Sequence, residues 1–116
     1  MEKNVEISVL CQLYGKVLTE KQLEVLNDYY NNDLSLSEIA ENNNISRQAV
    51  RDIIKKGENK LYELEQNISL MKKVLEEEKA ISKIQNILNE LESIIGLDKK
   101  ANQKIKDIKK ELSKII

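Results

Sequence analysis

The stretch Ser35-Leu-Ser-Glu-Ile-Ala-Glu-Asn-Asn-Asn-Ile-Ser-Arg-Gln-Ala-Val-Arg-Asp-Ile-Ile54 constrains the fold of this 116-residue chain more than any other. Ser35 and Ser46 each stand where a helix N-cap belongs, just ahead of apolar residues at helical spacing. Leu36, Ile39 and Ala40 follow the first serine, and Val50, Ile53 and Ile54 follow the second. Between the two lie Asn42, Asn43 and Asn44, a residue type that tolerates left-handed backbone and so suits a tight turn. Ile45 is placed to plug that turn into a core. Two short helices crossing tightly across a turn make a helix-turn-helix, and Ala40 is the small residue their contact needs. The functional question becomes what the second helix touches, which is a matter of binding and not of catalysis.

The flanks extend the pattern. A first helix is expected from about Asn4 to Gly15, with Ile7, Leu10, Cys11, Tyr14 and Val17 on one arc of a 3.6-residue wheel. Thr19 followed by Gln22 is a capping box, in which each side chain satisfies a backbone N–H left unpaired by the helix. That helix should reach about Asn31, with Leu23, Leu26 and Tyr30 on one side and Val25 and Tyr29 on another. Ser35 with Glu38 is a second capping box. The helix opened by Ser46 carries an inward stripe of Val50, Ile53, Ile54, Leu61 and Leu64, while Gln48, Arg51, Asp52 and Lys55 point the other way. Gly57 breaks a run of good helix formers at about 1 kcal/mol relative to Ala, so either a second helix comes close there or the helix bends.

Beyond Leu64 the chain reads as a helical tail. Leu61, Leu64, Ile68, Met71 and Leu75 step by threes and fours, and Ile81, Ile84, Leu88, Leu91 and Ile95 repeat that rhythm one position out of phase. The charged run Glu76-Glu-Glu-Lys79 sits at the phase break, either as a stammer in one long helix or as the corner of a helical hairpin. Gly96 should end this segment and Asp98 cap a last helix, striped by Ala101, Ile105, Ile108, Leu112 and Ile115. The expected organisation is therefore all-α: a helix-turn-helix bundle over residues 1–66, then a helical extension over 67–116. An amphipathic extension needs a surface to cover, so it either folds on itself or serves as an arm that joins a second protomer.

Composition agrees with this architecture and removes several functions. The chain has no Pro and three Gly, and 34% of its residues are charged, as long solvated helical faces require. With no His, neither a nitrogen-ligated zinc site nor a His general base is available. No P-loop, Gly-rich dinucleotide turn or nucleophile–base set is visible, and no cofactor is expected. The chain is not expected to be an enzyme. Cys11 is the only cysteine, so no disulfide closes within the chain; on its apolar arc it reads as a packed thiol. No basic-apolar leader and no membrane-spanning apolar run is found, and a cytoplasmic location is expected.

A net charge of −1 carries no global nucleic-acid signal, but its distribution does. Acidic residues dominate up to Ile45. From Ser46 to Lys60 the balance reverses, with Arg47, Arg51, Lys55, Lys56 and Lys60 against Asp52 and Glu58. In a DNA-bound helix-turn-helix the second helix enters the major groove. Arg47, Gln48 and Arg51 have the chemistry to read base edges, Arg pairing with guanine and Gln with adenine. Lys55, Lys56 and the Ser46 hydroxyl at the helix N-terminus are suited to phosphates. Asp52 opposes phosphate and is expected to orient Arg51 or to meet cytosine.

From Leu18 to Leu64 the chain resembles region four of bacterial sigma factors, where a similar SLxEIA…SRxxVR pattern reads promoter DNA. It resembles more closely the small YlxM-like proteins of bacteria, through Leu13-Tyr14-Gly15, Leu18-Thr19-Glu-Lys-Gln22, Leu34-Ser-Leu-Ser-Glu-Ile-Ala40 and Ile45-Ser-Arg-Gln-Ala-Val50. The match covers about the first two thirds of the chain. Arg51 stands where that family commonly has Tyr, and Ile53 where it commonly has Asn; the arginine makes the exposed face more basic. The resemblance implies a sigma-region-four-like fold, a regulatory role and a link to the signal recognition particle pathway, with its components as partners. Two readings stay open: nucleic-acid binding, DNA or RNA, through the helix that starts at Ser46, and a protein-binding adaptor of the targeting machinery that binds no DNA.

Overall fold

The computed structural model describes residues 1–115. Among them are six α-helices and no strand: α1 (Lys3–Tyr14), α2 (Glu20–Tyr30), α3 (Leu36–Asn43), α4 (Arg47–Ile68), α5 (Leu70–Ile95) and α6 (Lys99–Ser113), with a 3-10 turn at Gly15–Val17. The all-α expectation and the helix-turn-helix, α3–turn–α4, are both met. The chain divides into two compact units, Met1–Met71 and Lys72–Ile116.

The first unit forms because α1, α2 and α3 all bury their apolar faces against α4 or its neighbours. Ile7, Leu10, Val25, Leu26, Ile39, Val50 and Leu61 are almost fully removed from water and make up its centre. Both expected capping boxes are present. Thr19 Oγ1 accepts from Gln22 N while Thr19 N donates to Gln22 Oε1, and Ser35 and Glu38 make the same reciprocal pair. Ser46 Oγ accepts from Ala49 N at 3.0 Å and so starts α4.

Several expectations need correction. Val17 falls in the 3-10 turn, off the α1 arc, and is more than half exposed. Gly15 does follow the end of α1, as expected, with right-handed backbone. Asn42 and Asn43 belong to α3, and only Asn44 turns, with φ 54° and ψ 43°. Its N–H reaches Glu41 O while Ile45 N–H reaches Ala40 O, the paired hydrogen bonds of a Schellman motif. Asn43 Nδ2 donates to Ile39 O and its Oδ1 accepts from Lys21 Nζ, so this residue fastens α3 to α2.

The larger correction concerns the tail. The chain breaks its helix at Ser69, with φ 57°, while Glu76–Lys79 lies inside the uninterrupted α5. The Ser69 corner is held by a part-buried node. Tyr14 Oη donates to Glu65 Oε1 at 2.8 Å and accepts from Leu70 N, and Glu65 Oε1 also accepts from Met71 N at 2.8 Å. The carboxylate thereby caps the start of α5 from the preceding helix.

The second unit is an antiparallel pair made from α5 and α6. Gly96 (φ 60°) ends α5, and Asp98 caps α6 by accepting from Ala101 N, both as expected. Ile81, Leu88 and Ile105 are buried within it, and Lys109 pairs with Glu92 and Asn89 across the two helices. Ile95, Ala101 and Leu112 are partly covered, whereas Ile84, Leu91, Ile108 and Ile115 of the expected seam are exposed. Two helices can shield only one stripe of each other, and these residues lie off that stripe.

Candidate nucleic-acid interface

The candidate interface is the outward face of α4. The inward stripe of Val50, Ile54 and Leu61 fixes the rotation of the helix, which turns the intervening positions to solvent. Ser46, Arg47, Gln48, Arg51, Lys55 and Lys56 are all exposed. Arg47, Arg51 and Lys55 follow one another at intervals of four, so they form a single cationic column about 12 Å long. The adjoining column, Gln48, Asp52, Lys56 and Lys60, is mixed in charge.

The acidic residues nearest this face make no ion pair with its cations. Glu58 accepts from Tyr30 Oη and pairs with Lys3 Nζ at 3.2 Å, with little of its side chain exposed. Asp52 accepts from Gln48 Nε2 at 3.1 Å. Asp52 therefore bonds Gln48, where the sequence alone offers Arg51 or a cytosine as its partner. Among the described residues, Arg47, Arg51, Lys55 and Lys56 enter no ion pair or side-chain hydrogen bond. Arg47 opens α4, and the first turn of that helix holds no acidic residue. A cation there opposes the helix dipole, so it does not serve the stability of the helix.

Three tyrosines hold α4 in place, each through a carboxylate. Tyr62 of α4 donates to Glu6 of α1, Tyr14 of α1 donates to Glu65 of α4, and Tyr30 of α2 donates to Glu58 of α4. All three phenols are pushed above their usual value, first by burial and then by the neighbouring carboxylate. Gly57 explains a further part of the packing. A Cβ at that position would lie 2.9 Å from Leu26 Cδ1, so the close helix approach is the correct reading of this glycine. Burial pushes the Cys11 thiol up, as befits a packed group.

The family model described as "Putative helix-turn-helix protein, YlxM / p13 like", UPF0122, matches residues 1–108. This chain belongs to the UPF0122 family. A UPF0122 protein of Clostridium botulinum is 45% identical over 98 residues, covering 84% of this chain and 90% of that relative. One from Clostridium kluyveri is 52% identical over 81 residues, 68% of this chain and 73% of the relative. One from Fusobacterium nucleatum is 45% identical over 97 residues, 82% of this chain and 94% of the relative. UPF0122 membership thus agrees with the YlxM-like resemblance read from the motifs, and the family's description is that of a helix-turn-helix protein. Among the described residues no group of carboxylates and thiols could hold a metal ion, and no helix is long and apolar enough to cross a membrane.

Sequence reasoning did not foresee where the end of α2 lies relative to the cationic column. Tyr29 and Tyr30 end that helix with their rings edge to face, centroids 5.0 Å apart. They line a depression of about 240 Å³ together with Arg51 and Lys55. The adjacent tyrosine pair, in a chain with only four aromatic residues, was the available signal.

Proposed function

We propose that this chain is a non-catalytic regulatory protein that binds nucleic acid through α4. The observation that carries the proposal is the column Arg47–Arg51–Lys55, exposed and without acidic partners, while Asp52 accepts from Gln48 and Glu58 is held by Tyr30 and Lys3. In this reading Arg47, Gln48 and Arg51 address base edges, and Lys55, Lys56 and the Ser46 end of the helix address phosphates. On a mixed-sequence duplex, which offers no specified base, the four cations Arg47, Arg51, Lys55 and Lys56 would all meet phosphates, and the log–log salt dependence should have a slope of about −4. Titration of a mixed-sequence duplex and of signal recognition particle RNA at two salt concentrations tests this. Each of Arg47→Ala, Arg51→Ala and Lys55→Ala should weaken binding and shorten the slope by about 1. Absence of binding to either probe at low salt rejects the proposal.

A second reading makes the chain an adaptor within the protein-targeting machinery, consistent with the signal recognition particle link that the family resemblance implies. The uncovered side chains Ile84, Ile87, Leu91 and Ile94 of α5 favour it, because a contiguous apolar face is a common mark of protein contact. The same face would serve as a homodimer arm. Sedimentation of the full chain across a concentration series separates the two, since only the arm makes mass rise with concentration. Capture from nuclease-treated lysate then asks whether any partner survives the removal of nucleic acid.

A further inference from the structure

We propose that the depression beside the cationic column is a seat for one unstacked base of a single-stranded or bulged nucleic acid, with Tyr29 as the stacking platform. The inference rests on the nucleic-acid reading of α4 and specifies which form of nucleic acid the chain prefers.

The depression lies wholly within the first unit, between the end of α2 and the outward side of α4. Its volume of about 240 Å³ is below the range of roughly 300–1,000 Å³ that holds drug-sized ligands, and it suits one small planar group. Tyr29 is 36% exposed, an aromatic ring left open on a helix whose other large apolar residues turn inward. The neighbouring Tyr30 stands at 87° to it, which holds the platform from one side. Leu36 adds an apolar wall.

Charge completes the seat. Arg51 and Lys55 line the same depression and carry no acidic partner among the described residues. Glu58 also lines it, yet its carboxylate is committed to Tyr30 and Lys3, so it does not repel an anion at full strength. An open aromatic ring beside two free cations is the combination by which proteins hold single strands: the ring takes a base and the cations take the phosphates on either side. A base locked in a duplex cannot reach the ring. A duplex therefore engages only the cations, whereas a flexible strand engages both.

The test measures anisotropy of three labelled probes against the full chain: a mixed 12-nucleotide single strand, the matching duplex, and a duplex with a one-nucleotide bulge of 2-aminopurine. The expected result is tighter binding of the single strand and the bulge than of the plain duplex, with altered 2-aminopurine fluorescence on binding. Tyr29→Leu should weaken the single strand roughly 10-fold, in line with the loss of one base–aromatic stack, and leave the duplex unchanged. Tyr29→Phe should retain wild-type affinity, because the ring remains. Arg51→Ala should weaken all three. Equal affinities for all probes, or a Tyr29→Leu variant that binds the single strand as wild type does, overturn this proposal while leaving the α4 reading intact. Failure of the wild type to bind any probe overturns both.

Discussion

Single residues decide how tightly the motif closes. Asn44 occupies a left-handed backbone that costs most side chains roughly 1–2 kcal/mol. Asn44→Gly should raise stability by up to about 1 kcal/mol, and Asn44→Val should lower it by about 2 kcal/mol, as read by urea denaturation. Gly57 behaves oppositely. Alanine improves helix propensity by about 1 kcal/mol, but the added carbon meets Leu26 in a filled core, where overpacking typically costs about 1–3 kcal/mol. Gly57→Ala should therefore be destabilising by about 1 kcal/mol, and Gly57→Val by more. Neither sign follows from propensity alone; each depends on the backbone angle or neighbour at that position.

At the scale of elements, the tyrosine–carboxylate pairs make the packing of α4 sensitive to alkali. Tyr14, Tyr30 and Tyr62 all hold their protons more tightly in the folded chain than their usual value of 10. Their contribution is complete below pH 10 and is lost as pH rises through the folded values. The urea midpoint should thus fall steadily above about pH 10. Tyr30→Phe and Tyr62→Phe should each flatten that decline, and an unchanged pH slope in both variants would reject the linkage. The helices and their starts were largely legible beforehand, because serine, threonine and aspartate caps announce themselves in sequence. The break at Ser69 was not. It is fastened by the carboxylate of Glu65, four residues earlier, which is in turn bonded by Tyr14, 51 residues before that, and no local pattern contains that link. The phase slip near Glu76 misled for a related reason, since apolar spacing alone does not say which stripe a partner covers. The candidate cationic face was legible because Val50, Ile54 and Leu61 fix its direction; the depression at Tyr29 needs two helices brought together and was not.

For the molecule as a whole, the first unit carries its own core and the second has a smaller one. A chain ending after Met71 should unfold cooperatively, since Leu70 and Met71 pack on that core and complete the Tyr14–Glu65 node. A chain ending after Gln66 loses those contacts and should melt several degrees lower, a difference that circular dichroism can read. In the second unit, Ile94 and Leu97 are 79% and 96% exposed, so solubility should improve when both are changed to Gln without loss of helix content. The most far-reaching feature is the division of labour along α4. One side of this helix is bound to three neighbours, while the Arg47–Arg51–Lys55 column makes no ion pair or side-chain hydrogen bond with them among the described residues. Lettering on that column can be rewritten, one side chain at a time, with the frame left standing, so chains built to this plan are free to diverge in what they hold long before they diverge in shape.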